Sequence, residues 1–420
     1  MKLPSVSSSF AELGLSAALV RAAAERGYVE PTPIQAAAIP LALQGRDVIG
    51  CAQTGSGKTA AFALPLLHRL DTWRPAWRRT YALVLVPTRE LAAQVGETIR
   101  ALSRHLADPV KVAVVFGGVS VNPQMLSLRR GAEVVVATPG RLLDLADRNA
   151  IQFDDVNLLV LDEADRLLDE GFADELARLT ALLPARRQSL FFSATFPPAV
   201  QGLADALLCD PVRVEVPTNT PSGGAPPAIE QHAVEVDAAQ RTPLLRHLIE
   251  QGQWSRVLVF VATRYASEHV ADKLRRSGLA AAAFHGDLSQ GARTRVLADL
   301  NSGALRVVLA TDMAARGLHI PGLPVVVNYD LPRSPQDYVH RIGRTGRAGA
   351  TGLAVSFVSA TTEAHFRLIE KRQGQRVPRE RIAGFEPRDA APPASPPEGG
   401  IKGRRKSKKD KLREAAARGG

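Results

Sequence analysis

The stretch AQTGSGKT at residues 52–59 is typical of a loop that binds phosphate groups. Its two glycines allow backbone N–H groups to converge on phosphate oxygens, Lys58 can reach the β- and γ-phosphates, and Thr59 can hold Mg²⁺ through its hydroxyl. Ala52 stands where the usual pattern has its first glycine. The loop follows a strand-like DVIG (47–50) and precedes a helical pattern, which is the context that such a loop requires.

A second motif, LVLDEAD at residues 159–165, brings two adjacent carboxylates to the end of an apolar strand. Ligands bind at this end of the strands in parallel sheets. Asp162 suits Mg²⁺, and Glu163 suits the orientation and activation of an attacking water. Acids at an ordinary helix N-terminus are the plain alternative, but DEAD at the end of a strand after GKT favours an ATPase.

Short β-branched runs alternate with longer helical patterns along the chain, and this alternation indicates parallel sheets covered by helices on both faces. The segment LVLVPTR (83–89) matches LVFVATR (258–264), with an offset of 175 residues. VVVATPGR (134–141) parallels VVLATDMAAR (307–316), with an offset of 173 residues. Because the two offsets nearly agree, we predict a duplicated α/β domain.

Two composition shifts divide the chain. TNTPSGGAPP (218–227) is rich in Pro, Gly, Ser and Thr and has no hydrophobic period, which is typical of a linker. From about Glu386 the chain is Pro-rich and then basic, a composition typical of disorder. We therefore predict a first domain, a linker, a second domain and a disordered tail at residues 1–217, 218–228, 229–385 and 386–420.

The 420 residues carry a formal net charge of +11, which suits a polyanionic partner, either nucleic acid or an anionic membrane surface. Residues 390–420 alone hold nine Lys or Arg and three acidic residues. Two interpretations of this basic block stay open: it is a solubilising tail, or it is a non-specific RNA anchor. The block has no interleaved aromatic residues, so we expect no base stacking from it.

The two cysteines, Cys51 and Cys209, do not form a disulfide framework and indicate a reducing compartment. The first ten residues lack the apolar core of a signal peptide, and no apolar run is long enough to span a membrane. We therefore expect a cytoplasmic protein without a membrane partner.

Further motifs place the chain beside a known family. In chain order they are GYVEPTPIQ (27–35) with Phe10 upstream, AQTGSGKT, PTRELA (87–92), GG (117–118), TPGR (138–141), DEAD (162–165), SAT (193–195), VFVATR (259–264), HGDLSQGAR (285–293), TDMAARGL (311–318) and YVHRIGRTGR (338–347). With these motifs in this order, the chain resembles the DEAD-box RNA helicases over roughly residues 10–360, and the segment HGDLSQGARTR is most similar to the bacterial RhlE-type branch.

The resemblance implies two tandem RecA-like domains and an ATP- and Mg²⁺-dependent RNA helicase. In this family ATP-driven domain closure locally unwinds short duplexes or remodels RNA–protein complexes. The implied nucleotide-binding residues include Gln35, which reads the adenine edge, and Phe10, which helps to stack it. The full set is Phe10, Gln35, Ala52, Gln53, Thr54, Gly55, Ser56, Gly57, Lys58, Thr59 and His319.

Catalysis is expected to need both halves of the chain. Lys58, Asp162 and Glu163 lie in the first half, whereas the guanidinium groups of Arg344 and Arg347, which can stabilise a transferring phosphoryl group, lie in the second. Thr59 and Asp162 are the predicted Mg²⁺ ligands. The resemblance further implies that three residues couple ATP to RNA: Ser193, Thr195 and His340.

RNA is expected to bind through its backbone, and therefore largely without sequence preference. The predicted contacts lie after strands or in tight turns. They are Arg89, Gly118, Thr138 and Arg141 in the first half and Thr263, Gln290, Arg293 and Thr311 in the second. The choice of RNA over DNA comes from the resemblance alone.

One residue departs from the family pattern. His319 occupies the position at which the family usually has an Asp that contacts the ribose of ATP. An imidazole can still form a hydrogen bond with a hydroxyl, but it lacks the two oxygens of a carboxylate. We therefore expect a higher KM for ATP.

Two other functions stay open, an ATP-gated RNA clamp that unwinds nothing and a DNA translocase of the same superfamily. Unwinding of a short RNA duplex separates the first from a helicase, and stimulation of ATP hydrolysis by RNA or by DNA decides the second. The sequence leaves the RNA substrate, the oligomeric state and the process open, including ribosome assembly, messenger decay and cold adaptation. Ribosomal particles and RNA-decay proteins are therefore candidate partners.

Overall fold

The computed structural model describes residues 9–52, 55–72, 78–169, 171–216, 229–315, 320, 322–346 and 351–388. Within these ranges the chain forms two seven-stranded sheets, and every neighbouring pair of strands runs parallel. No helix in the described part of the chain is long and apolar enough to cross a membrane.

The first sheet has the strand order β3-β4-β2-β5-β6-β1-β7. Its strands are β1 (Val48–Cys51), β2 (Ala82–Leu85), β3 (Val112–Val115), β4 (Val134–Ala137), β5 (Leu158–Leu161), β6 (Gln188–Ser193) and β7 (Val212–Glu215). The helices of this half are α1 (Ala17–Glu25), α2 (Pro33–Leu43), α3 (Lys58–Thr72), α4 (Arg89–Leu102), α5 (Asn122–Leu128), α6 (Pro139–Asp147), α7 (Ala164–Asp169), α8 (Ala173–Leu182) and α9 (Pro198–Leu207).

The second sheet has the strand order β10-β11-β9-β12-β13-β8-β14. Its strands are β8 (Ile229–Glu235), β9 (Val257–Phe260), β10 (Ala281–Phe284), β11 (Val307–Ala310), β12 (Val325–Asn328), β13 (Gly352–Val358) and β14 (Arg379–Glu380). The helices are a 3₁₀ turn (Ala238–Gln240), α10 (Arg241–Gln251), α11 (Arg264–Arg276), α12 (Gln290–Ser302), α13 (Asp312–Ala315), α14 (Pro335–Ile342) and α15 (Glu363–Gln373).

Each sheet is buried on both faces, as its apolar strands predict. In β2 all four residues are buried, and successive side chains enter different clusters. Val84 packs into the core that α1 to α4 cover, whereas Leu83 and Leu85 pack into the core beneath α6 to α9. Burial on both faces fixes the strands rigidly, so the residues that follow them are held in defined positions.

The predicted fold class is confirmed, and the two sheets share one strand order. The matching segments of the sequence occupy equivalent strands, β2 with β9 and β4 with β11. The predicted linker at 218–228 and the tail from residue 389 onward lie outside the described residues. The domain boundaries therefore stay a prediction.

Candidate nucleotide and RNA sites

The phosphate loop lies between the end of β1 at Cys51 and the start of α3 at Lys58. Gly55 and Gly57 have φ angles of +90° and +94°, a backbone region that favours glycine. Ala52 has no such angle, which explains why its Cβ is tolerated in place of the usual glycine. Gln53 and Thr54 lie outside the described residues.

The loop presents polar atoms that have no hydrogen-bond partner among the described residues. Lys58 is 6% exposed, and its Nζ has no hydrogen-bond partner in the described structure. The buried Ser56 hydroxyl is likewise without one among these residues. A buried, unpaired ammonium is costly unless an anion compensates it, so the loop has the character of an anion site. The side chain of Thr59 lies one residue further into α3.

Gln35 holds this loop to the start of α2. Its Oε1 accepts a hydrogen bond from the Thr32 backbone N–H (2.9 Å), and its Nε2 donates to the Gly57 carbonyl (3.0 Å). A Cβ on Gly57 would lie 2.4 Å from that amide nitrogen. Phe10 is 3% exposed and packs in the core beside Leu13. These contacts are all within the protein. That Gln35 reads the adenine edge and that Phe10 helps to stack it therefore stay predictions.

The two carboxylates follow β5 and are buried, at 3% exposure for Asp162 and 4% for Glu163. Burial raises the pKa of Asp162 to about 6, against the opposing effect of the Lys58 charge. Glu163 has a φ of +53°, a strained angle for a residue with a Cβ. Its Oε2 lies 3.4 Å from Arg166 Nη1, an ion-pair distance without hydrogen-bond geometry.

The thiol of Cys51, at the end of β1, is expected to be unreactive. Cys51 is half-buried, and burial raises the pKa of its thiol to about 11. Cys209 is exposed on the loop after α9.

Ser193 and Thr195 connect the end of β6 to the carboxylate segment. The Asp165 backbone N–H donates to Ser193 Oγ (3.2 Å), and that hydroxyl donates to the Thr195 carbonyl (2.7 Å). Thr195 Oγ1 in turn donates to Asp165 Oδ2 (2.8 Å). The two predicted coupling hydroxyls therefore form one hydrogen-bonded network with the segment that carries Asp162 and Glu163.

The second half meets this network at α14. Arg344 is 4% exposed, and its Nε donates to the His340 carbonyl (3.2 Å). Burial, together with the charge of Arg166 from the first half, lowers the pKa of His340 to about 4, so the imidazole is neutral at pH 7. A cavity of about 20 Å³ spans the two halves, lined by Arg166, Phe260, Asp312, Ala315, Asp337, His340, Arg341 and Arg344. Arg347 and His319 lie outside the described residues.

Arg341 fixes this region internally, a role that the sequence did not indicate. Its guanidinium binds the Asp312 carboxylate through two hydrogen bonds of 2.6 and 2.7 Å and lies 4.9 Å from the centre of the Phe260 ring. It thereby ties the segment after β11 to α14, the helix that precedes Arg344.

In the first half, the predicted RNA residues converge. A Cβ on Gly118, where φ is +77°, would lie 2.4 Å from the Arg89 guanidinium. Arg141 Nη2 donates to the Val119 carbonyl (2.8 Å), while its buried Nη1 has no partner in the described ranges. Thr138 precedes α6, and its side chain forms no capping hydrogen bond. The glycine turn, Arg89 and Arg141 thus form one polar surface.

In the second half, three predicted RNA residues lie at the carboxyl edge of neighbouring strands. Thr263 Oγ1 accepts from the Ala266 N–H (3.0 Å) at the start of α11, and this hydroxyl can still donate its own proton. Gln290 begins α12, and its buried Oε1 has no partner in the described structure. Thr311 follows β11.

Arg293 lies in a setting that differs from the expected RNA surface. It is 5% exposed and binds Glu90 of the first half, with 2.6 Å between Nε and Oε1. It also donates to the carbonyls of His285 (3.1 Å) and Ala314 (3.4 Å). The structure therefore gives Arg293 a contact between the halves, and its RNA contact stays a prediction. No sequence pattern pointed to this pair, because its members are 203 residues apart.

Comparison with known proteins identifies both halves. Residues 32–203 match the family model of DEAD/DEAH box helicases, and residues 240–349 match that of the helicase conserved C-terminal domain. The chain is 39% identical over 371 residues to the DEAD-box ATP-dependent RNA helicase CshA of Bacillus cereus, covering 88% of this chain and 69% of the relative.

Solved structures show the same fold. S. cerevisiae Dbp5 bound to RNA and ADP BeF3 is similar with a TM-score of 0.79 at 32% identity, covering 90% of this chain and 96% of that chain. A variant of Dbp5 bound to nup159, gle1, IP6 and ADP has a TM-score of 0.61 at 31% identity, with 88% and 95% coverage. The chain belongs to the DEAD-box family of ATP-dependent RNA helicases.

Proposed function

We propose that this helicase has one ATP site that is complete only when its two halves close on RNA. Lys58 and the phosphate-loop N–H groups bind the phosphates, and Glu163 orients the attacking water. Arg344 and Arg347 stabilise the charge that develops on the transferred phosphoryl group. The proposal is carried by Lys58 Nζ and Glu163 Oε2, which have no hydrogen-bond partner in the described structure. Arg166, 3.4 Å from Glu163 Oε2, lines a cavity together with Arg344 of the second half.

Mg²⁺ fits the oxygen groups at this site. The described residues contain no cluster of three or more His, Cys, Asp or Glu side chains that could hold a metal. Mg²⁺ binds readily through one or two protein oxygens together with water and substrate phosphates. We assign Asp162 and Thr59 to this role. When bound, the ion would neutralise phosphate charge and lower the raised pKa of Asp162.

The arrangement of the halves supports closure as the switch. The TM-score to Dbp5 with RNA and ADP BeF3 is 0.79, against 0.61 for the Dbp5 variant with ADP, nup159 and gle1. The contact between Glu90 and Arg293 belongs to this arrangement. RNA contacts on both halves would favour the closed state, and RNA would therefore stimulate hydrolysis. Ser193, Thr195 and His340 would transmit closure between the RNA surface and the ATP site.

The remaining expectations concern cellular context. We propose a cytoplasmic helicase that binds RNA mostly through its backbone, with the basic tail as a non-specific anchor. Ribosomal particles and RNA-decay proteins are the candidate partners, and the RhlE-type assignment stays a prediction. The domain boundaries at 1–217 and 229–385 are proposed from the composition shifts in the sequence.

Substitution of Arg344 tests the cross-domain site. We expect Arg344→Ala to reduce RNA-stimulated ATP hydrolysis by about 100-fold or more, because a guanidinium that stabilises phosphoryl transfer contributes on the order of 10³–10⁵. Nucleotide affinity should stay within about threefold, since Lys58 and the loop bind ATP from the other half. Arg344→Lys is the matched control: it keeps the charge but loses the bidentate geometry, so its activity should also fall.

A fully active Arg344→Ala enzyme would overturn the cross-domain account. If nucleotide affinity and turnover fell equally, Arg344 would instead contribute to binding of the nucleotide before the transition state. Unwinding of a short RNA duplex by the unmodified chain, measured in parallel, separates a helicase from a clamp that closes without opening duplexes.

A further inference from the structure

An exposed aromatic pair lies at the start of α11. Tyr265 is 76% exposed and is the only aromatic residue among the large apolar side chains that are exposed within the described ranges. Its ring stacks on the His269 imidazole with 5.5 Å between centroids and 12° between planes. The two residues are one helical turn apart, so the helix itself holds the tyrosine ring in place.

This pair adjoins the predicted RNA residues of the second half. Thr263, the residue that caps α11, lies two positions before Tyr265. Arg264 forms an ion pair with Asp287, which ties the first turn of α11 to the loop that leads to Gln290. Met313, 65% exposed, follows β11, the strand next to β9 in the sheet. Two exposed apolar side chains, Tyr265 and Met313, therefore follow neighbouring strands at the polar edge where the RNA backbone is proposed to bind.

We propose that Tyr265 stacks on one base of the bound RNA, with His269 as the positioning residue that holds its ring. The inference rests on the proposed RNA contacts of Thr263 and Gln290. Single-stranded RNA suits this surface because its backbone takes polar donors while its unstacked bases offer flat faces to aromatic side chains. A ring already held parallel to a neighbour loses little freedom when a base stacks on it.

The consequence is a base contact within an otherwise backbone-directed interface. Stacking tolerates every base, but its strength varies with base type. Tyr265 would therefore give this helicase a weak preference for purines at one position of the RNA, without hydrogen-bonded sequence readout.

The test uses the full chain with a non-hydrolysable ATP analogue and ten-nucleotide RNAs at fixed salt. We expect Tyr265→Ala to weaken RNA affinity about five- to tenfold, the low end for one stacked base. Tyr265→Phe should bind like the unmodified chain, and His269→Ala should lose about twofold. Leu368→Ala removes an apolar side chain that is 61% exposed on α15, and it should bind RNA normally.

A scan with single abasic sugars locates the contact. In the unmodified chain one abasic position should cost affinity, and in Tyr265→Ala that position should cost nothing further. 2-Aminopurine placed there should be quenched by the unmodified chain and not by the variant. The proposal is overturned if Tyr265→Ala binds normally or if both proteins give the same abasic profile. Failure of the unmodified chain to bind RNA would instead overturn the proposed function.

Discussion

The two halves of the molecule share one sheet topology but differ at the carboxyl edge. In the second half, α10 begins with Arg241, and its Nη1 binds the Asp330 carboxylate at 2.9 Å. In the first half, the equivalent helix α3 begins with Lys58, and Glu163 stands at the equivalent position, the second residue after the strand. Lys58 Nζ and Glu163 Oε2 have no hydrogen-bond partner in the described structure.

The difference shows how one scaffold holds either a ligand site or a structural ion pair. In the first half, Lys58 Nζ has no hydrogen-bond partner among the described residues and Glu163 Oε2 has only an ion-pair contact with Arg166, whereas in the second half Arg241 Nη1 binds the Asp330 carboxylate. Buried charges that lack partners are costly, and they are retained where a ligand supplies the missing contact.

The largest expected effect tests this contrast directly. Glu163→Gln should lower RNA-stimulated kcat by about 100-fold or more, because general-base assistance contributes on the order of 10²–10⁴. Nucleotide affinity should change little, since the substitution keeps shape and removes only charge. Steady-state phosphate release and nucleotide titration measure the two quantities.

Asp330→Asn is the matched variant in the second half. It should cost about 1 kcal/mol of unfolding free energy through the weakened contact with Arg241, while kcat stays within about threefold. Similar losses of kcat in both variants would contradict the distinction between Glu163, which is proposed to act on a ligand, and Asp330, which forms a structural ion pair.

A second contrast concerns equivalent helix starts. Thr88 caps α4 and Thr263 caps α11 in the same way, through hydroxyls that accept from Leu91 and Ala266. Two residues after the cap, the first half has the buried Glu90, which pairs with Arg293, and the second has an exposed tyrosine. One helix start therefore holds a contact between the two halves, and the other is proposed to contact the RNA.

Glu90→Ala and Arg293→Ala should each raise the RNA concentration for half-maximal ATPase stimulation about tenfold or more, because each leaves a buried charge unpaired. The double variant should add little, giving a coupling energy of about 1.5 kcal/mol or more. Additive effects, with a larger loss for Arg293→Ala, would mean that Arg293 acts on RNA independently of Glu90.

The smallest effect is expected at His319. His319→Asp should lower the KM for ATP severalfold with kcat within about twofold, because a carboxylate offers two acceptor oxygens to the ribose. ATP titration under RNA-saturated conditions measures both constants. An unchanged KM would show that this position does not contact the ribose in this helicase.

Sequence alone predicted the fold and proposed where the candidate site lies, because apolar strands and glycine loops are local patterns. The strand that delivers Asp162 and the loop before Lys58 are both of this kind. The pairs Glu90–Arg293 and Arg241–Asp330 were not predicted, since their members are 203 and 89 residues apart. The strained φ of Glu163 also has no signature in its residue type.

The two thiols of the first half differ enough in reactivity to allow selective labelling with a fluorescent dye. Cys51 has a pKa of about 11, so at pH 7 it is almost wholly protonated and a poor nucleophile, whereas Cys209 is exposed. A maleimide dye should therefore attach at Cys209 in the native chain. Both cysteines precede residue 218, so a single cysteine added to the second half would complete a donor–acceptor pair. Opening and closing could then be followed in single molecules, with the phosphate-loop thiol left intact.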